Sequence, residues 1–290
     1  MNSRLFAACL LAAILSYASC ADAAGKSLLT DTGELSKRLA AANLVIVDAE
    51  DAASFARAHI PGAVNLPYLS LDDPEENAKT GRPIFPQLAA NKLGALGIGN
   101  DTEVIVYDSG NGRGASAVWY VLSYLGHDKV RVLDGGFRKW VKEGHKVSQG
   151  AALPTPVRYL VKKAREDWTM TTAQLSDGMS VLVDARSIAE FAGKEDGGAR
   201  QAGHIPGAVS FPWDRLGGAL STFKDDESMR TELKKAGLTP DKEIVTYCNP
   251  GIGRSTYLLL AMTKLGYGKV RVYPGSYIEW ASDPARPVSR

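Results

Sequence analysis

The chain has 290 residues, with 34 Lys and Arg against 32 Asp and Glu, a formal net charge of +2 and 45% apolar residues. Such a length holds about two domains, and such a composition suits ordinary soluble globular ones. There is no basic tract of the kind nucleic-acid binding requires, which excludes that partner.

In chain order, Arg4 is followed by an apolar run from Leu5 to Tyr17 that is too short for a spanning helix. Ala21-Asp22-Ala23 then offers a small-residue cleavage site, so residues 1–24 read as an export signal and the mature protein is expected in the periplasm. A lipoprotein signal ending at Cys20 is the rival reading, with Tyr17 a poor residue for it. No later segment is long and apolar enough to cross a bilayer. Cys9 and Cys20 fall in the signal, which leaves Cys248 as the one cysteine of the mature chain. A single cysteine in an oxidising compartment makes no internal disulfide and marks a reactive thiol. A monomer is expected.

Beyond the signal, Leu44 to Asp48 reads as a buried strand, Asp51 to Ala58 as a short helix and Gln87 to Leu96 as another. Glu103 to Tyr107 and Val130 to Leu133 read as strands, Gly114 to Leu125 and Phe137 to Glu143 as helices. Short apolar runs alternating with helices predict an α/β fold, a parallel sheet flanked by helices on both faces. Gly150, Pro154 and Pro156 mark a linker, taken as residues 147–166.

The second half repeats the first. Glu103-Val104-Ile105-Val106-Tyr107-Asp108 matches Glu243-Ile244-Val245-Thr246-Tyr247-Cys248 at an offset of 140 residues, as do Leu125 to Val132 with Leu265 to Val272 and Trp140 with Trp280. Val45-Ile46-Val47-Asp48-Ala49 returns as Val181-Leu182-Val183-Asp184-Ala185, and His59-Ile60-Pro61-Gly62-Ala63-Val64 as His204-Ile205-Pro206-Gly207-Ala208-Val209. Two copies of one domain follow, 25–146 and 167–290. Asp108 stands in the first where Cys248 stands in the second, so thiol chemistry belongs to the second. The second copy also carries Arg186 where the first has Glu50. An extra polar, Gly-rich stretch around Gly193 to Gly198 is expected to be a surface loop.

Cys248 ends a strand and opens the loop Asn249-Pro250-Gly251-Ile252-Gly253-Arg254 before a helical run. Loop amides, a helix N-terminus and Arg254 direct positive charge at its sulfur, the surroundings that make a thiolate. Ligands of parallel sheets sit beyond the strands' carboxyl ends, which is where this thiol lies.

These residues resemble the rhodanese-like sulfurtransferases in their tandem-domain form, over roughly Leu44 to Val288. The resemblance rests on Phe55 to Ala63, on Val183-Asp184-Ala185-Arg186, on Gly203 to Ala208 and on the closing Tyr273-Pro274-Gly275-Ser276-Tyr277-Ile278-Glu279-Trp280. It implies two tandem rhodanese-like domains, the first inactive and the second catalytic. It implies that Cys248 takes sulfane sulfur from thiosulfate or 3-mercaptopyruvate as a persulfide and passes it to a thiophilic acceptor such as cyanide or a thiol. The N–H groups of Asn249, Gly251, Ile252 and Gly253 are expected to hold the anionic sulfur, while Pro250 has none to give. Arg186 matches the family's donor-binding arginine, and Arg254 supplies a second cation. His59 matches a histidine near the active site of mercaptopyruvate-using relatives. The cleft is expected between the copies, with Arg186, Arg254 and His59 facing one another.

The loop departs from the pattern. Closed at Arg254 it has seven residues, one more than is usual, and Cys-x5-Arg followed by Ser255 is also the signature of Cys-dependent phosphatases. A phosphatase or arsenate reductase is therefore the alternative, and a non-catalytic sulfur carrier or docking protein a third. Tandem layout, Arg186 and the absence of a His before Cys248 favour sulfur transfer. His204 reads as structural, and His127 and His145 as surface residues. Trp140, Trp213 and Trp280 read as packing residues, Trp213 with the option of walling the cleft, and Asp108 as a structural cap. No His/Cys cluster has metal-ligand spacing, so neither metal nor cofactor is expected.

Overall fold

A computed structural model describes residues 27–150, 152–162, 164–175, 180–249 and 251–290. The export signal, Cys9, Cys20 and Pro250 lie outside the described residues. The first copy builds a sheet in the order β1 (Leu29–Thr30), β5 (Val130–Leu133), β4 (Glu103–Tyr107), β2 (Leu44–Asp48), β3 (Val64–Asn65). The second builds β7 (Val209–Ser210), β6 (Val181–Asp184), β8 (Ile244–Tyr247), β9 (Val270–Val272). Every pairing is parallel. The copies keep one register: Asp48 lies opposite Tyr107 as Asp184 lies opposite Tyr247.

The unbroken apolar runs of the central strands follow from helices covering both faces. All of Ile244 to Tyr247 in β8 is buried, as is Val104 to Tyr107 in β4. The three first-copy strands expected from the sequence are present with the expected bounds, and helices Ala52–Arg57, Pro86–Ala95, Arg113–Tyr124 and Gly136–Lys142 lie within a residue or so of theirs. The edge strands β1 and β3 were not legible, being too short to show a period. Helix Pro74–Thr80 is polar and shows itself only by its caps: Asp73 accepts from Glu75 and Glu76 N–H, Pro74 opens the first turn and Gly81 closes it at φ 72°. A 3₁₀ turn, Tyr68–Leu71, precedes it and proves important for the site.

The copies meet through helices Arg113–Tyr124 and Arg254–Lys264. Ser116 Oγ and Thr256 Oγ1, which are equivalent positions, lie 3.1 Å apart, so the pseudo-two-fold axis passes between them. One apolar cluster contains Val106 and Trp119 from the first copy and Tyr257 and Leu258 from the second. A shared core of this kind holds two domains as one unit. After Lys142 the chain straps the first domain: Val157 N–H donates to Gly94 O at 2.9 Å, and Asn100 holds Leu160 through both its N–H and its C=O. His127, expected at the surface, is buried with Nε2 2.9 Å from Thr102 O and its ring against Tyr159. Desolvation lowers its pKa. Among the described residues no helix is long and apolar enough to cross a membrane.

Candidate active site

Strand β8 delivers Cys248 to the floor of a cleft of about 200 Å³. Tyr68, Leu69 and Arg113 of the first copy and Asn249, Ile252, Gly253 and Arg254 of the second line it with the thiol. The cleft lies between the copies, as expected, but its membership differs from the expectation.

Cys248 is 1% exposed, and its sulfur lies 3.5 Å from Ser255 Oγ and 3.6 Å from Gly251 O. As a thiol it donates to one of these oxygens. As a thiolate it receives the Ser255 hydroxyl after a simple rotation. Cys248 N–H donates to Ser276 Oγ at 3.1 Å. Ser276 sits at φ 53°, the left-handed region, and the first copy has Gly136 at φ 55° in the matching place. The second copy therefore bears backbone strain that gives it a hydroxyl beneath Cys248.

The inactive loop shows what the cradle does with an anion. Asp108 carboxylate accepts N–H bonds from Gly110 at 2.8 Å, Gly112 at 3.0 Å and Ala115 at 3.1 Å. It is a structural cap, as its position suggested. Burial raises its pKa while these amides pull it back. At the 140-residue offset, Gly112 and Ala115 correspond to Ile252 and Ser255, and Gly110 to Pro250, which has no N–H. Ile252 and Ser255 thus stand in the second copy where two of the amide donors stand in the first. Gly253, expected among them, instead donates its N–H to Thr256 Oγ1 at 3.1 Å. Asn249 gives its side-chain N–H to Gly197 O at 2.5 Å, so the extra polar stretch is more than a surface loop: it braces the catalytic loop. Gly251, at φ 30°, turns its Cα face to Asp72, where a Cβ would stand 2.2 Å from Oδ1, so a side chain there would have to displace the Asp72 carboxylate. Burial pushes Asp72 up to about 6.

The two expected arginines are both committed to carboxylates. Arg186 is fully buried, forked onto Asp184 with Nη2 at 2.7 Å, bonded to Gly203 O at 2.6 Å and stacked 3.9 Å from the Tyr277 ring centroid. It does not line the cleft. It is paired with its own i−2 neighbour, Asp184, while its Nη1 is buried without a partner among the described residues. Arg254 does line the cleft, but its guanidinium forks onto Glu190 at 2.6 and 3.0 Å and donates to Asn249 O at 3.0 Å. Burial raises and the Arg254 fork lowers the Glu190 pKa, with a net fall. A guanidinium so engaged does not offer its fork to a tetrahedral oxyanion, which counts against phosphatase or arsenate chemistry.

His59 is also corrected. Its ring stacks on Phe55 at 3.9 Å, with Nδ1 2.8 Å from Phe55 O and Nε2 3.1 Å from Gly150 O. It is buried inside the first copy and does not line the cleft. His204 makes the same stack on Phe191 at 3.6 Å and the same Nδ1 contact, so the pair are structural turn residues. Trp213 stands edge-on to Tyr257 rather than walling the cleft.

Tyr68, Leu69 and Arg113 were missed. They belong to the copy without the thiol, and only the two-fold meeting of the helices brings them to Cys248. Burial raises the Tyr68 pKa, Arg113 lowers it and Cys248 raises it, as expected of a phenol between the two.

Both halves match the family described as the rhodanese-like domain, over residues 31–143 and 169–283. The sulfur carrier protein TtuD of Thermus thermophilus is 32% identical over 256 residues, covering 83% of this chain and 88% of that protein. The thiosulfate sulfurtransferase of Azotobacter vinelandii is 32% identical over 278 residues, covering 92% and 98%. A solved structure of an EanB variant in complex with ergothioneine superposes with a TM-score of 0.82 at 23% identity, covering 91% of this chain and 70% of that one. That last likeness speaks for the fold.

Proposed function

The chain belongs to the rhodanese-like family and is a sulfurtransferase, and from that premise we propose that it moves sulfane sulfur from thiosulfate, or from 3-mercaptopyruvate, to a thiophilic acceptor through a Cys248 persulfide. With thiosulfate, the Cys248 thiolate attacks the outer sulfur. A new S–S bond forms, the donor's S–S bond breaks and sulfite leaves with the electron pair. A thiolate or cyanide then attacks the outer sulfur of the persulfide and the Cys248 thiolate departs. Splitting the transfer in this way is nucleophilic catalysis. Ile252 and Ser255 N–H hold the charge on sulfur in both steps, and the Ser255 hydroxyl follows it.

The observation that carries the reading is the sulfur's place at the cleft floor, in a loop whose twin grips a carboxylate with three N–H groups. The reading includes export with residues 1–24 removed and function as a monomer. The test is the intact mass of the mature protein before and after thiosulfate, and then after cyanide. One sulfur atom gained and then lost as thiocyanate, with neither change in Cys248→Ser, is the expected result. No gain from thiosulfate or 3-mercaptopyruvate would reject it. The same spectrum reads the processed N-terminus.

A further inference from the structure

We propose that Arg113, a residue of the copy without the thiol, binds the departing anionic group of the sulfur donor and so selects donors that carry one. The inference rests on the sulfur-transfer reading and deepens it.

Charge pairing is the starting point. Arg186 is matched by Asp184 and Arg254 by Glu190. Each pair is close to neutral as seen from the sulfur, so neither compensates a dianion entering the cleft. Arg113 lines the cleft beside Cys248 and, among the described residues, has no carboxylate at ion-pair distance. Its guanidinium Nε lies 3.4 Å from Asn111 Oδ1, and its Cζ lies 5.7 Å from the Trp213 ring centroid. An amide oxygen and an aromatic face steer a guanidinium without cancelling its charge. Its backbone N–H also donates to Asn111 Oδ1 at 2.9 Å, which fixes the residue as the first of its helix.

The chemistry asks for a cation at this place. Negative charge moves from the sulfane sulfur onto sulfite as the S–S bond breaks. A guanidinium beside the departing oxygens holds the donor's anionic end both before and as the bond breaks, and a planar fork suits two oxygens of a sulfonate or carboxylate. Tyr68, on the same wall, responds electrostatically to both Arg113 and Cys248, which supports their closeness. Its neighbour Leu69 is 57% exposed and gives the mouth an apolar lip.

The test compares wild type, Arg113→Ala and Arg113→Lys in the mature full-length protein with two donors. One is thiosulfate and the other an alkyl hydropersulfide with no sulfonate or carboxylate, whose outer sulfur Cys248 attacks as the S–S bond breaks and an alkyl thiolate departs; each is followed by steady-state kinetics and by mass of the loaded protein. For Arg113→Ala the thiosulfate KM should rise by at least about tenfold, with a smaller fall in kcat, and competitive inhibition by sulfate should weaken in step. The loss with the alkyl hydropersulfide should be several-fold smaller, and Arg113→Lys should recover part of the thiosulfate KM. A thiosulfate KM within about twofold of wild type, or equal losses with both donors, overturns the assignment of Arg113 and leaves sulfur transfer intact. Wild-type protein that takes sulfur from neither donor overturns both.

Discussion

The same loop is closed in one copy and open in the other. After β4 the chain satisfies its own cradle, with three N–H groups on the Asp108 carboxylate. After β8 the matching place holds a thiol that lies near Ser255 Oγ and Gly251 O and lines a cleft. The difference shows one loop, at the same strand end and helix N-terminus in both copies, holding its own carboxylate in the first and a thiol in the second. The first copy thus fills with its own carboxylate the place where the second carries a thiol.

The most severe way to break that comparison is Cys248→Asp. The active loop should close on its new carboxylate, sulfur transfer should fall by at least about a thousandfold, and the melting temperature should hold or rise. Surviving turnover, or a protein that melts well below wild type, would sink the equivalence of the loops. Next is Arg186→Ala, which strands Asp184 in the interior and should cost about 3–5 kcal/mol in urea unfolding. The carboxylate of the matching first-copy residue, Glu50, accepts the Ser109 N–H at 2.9 Å, and Glu50→Ala should cost under about 1.5 kcal/mol. An Arg186→Ala protein of normal stability with a raised thiosulfate KM would return that arginine to the donor site. Smaller again is Asp108→Ala, which removes the acceptor of three buried N–H groups and should cost about 2–3 kcal/mol, whereas Cys248→Ala should cost about 1 kcal/mol. Equal costs would mean that the inactive loop gains nothing from its carboxylate.

The smallest effect sharpens the comparison through pH. Asp72 presses on Gly251 of the active loop, and burial raises its pKa from 3.8 to about 6. The folded state then binds more protons than the unfolded state between those values, so this group lowers stability as pH rises from about 4 to about 6. Asp72→Asn should therefore gain on the order of 2 kcal/mol above pH ~7 and nothing below pH ~4. Unfolding curves at the two pH values decide it, and a pH-independent gain would refute the assignment.

Much of the fold was legible because the central strands are buried on both faces and read as continuous apolar runs, and because the repeat supplied every boundary twice. Cys248 was legible for the same reason, through its contrast with Asp108. The arginines were not. Asp184 lies two residues before Arg186 and was visible as part of a motif, yet the sequence does not tell a motif's internal ion pair from a ligand site. Glu190 lies 64 residues before Arg254 and meets it only in the folded chain. His59 carried its own warning, since a histidine repeated in a copy without a thiol has no sulfur to serve. Arg113, Tyr68 and Leu69 depend on how the copies dock, a tertiary fact with no local signature.

That docking has a further meaning for how the molecule divides its labour. Ser116 meets Thr256, its own equivalent, so each loop lies against the other as in a symmetric pair. In a true pair of identical subunits, whatever stood at this loop position would appear twice, once beside its own sulfur and once on the wall of its neighbour's cleft. Joining the copies in one chain releases that constraint. Position 113 holds an arginine and its counterpart 253 a glycine. One partner keeps a compact turn around the sulfur, and the other, with no reaction of its own to accommodate, is at liberty to become the wall.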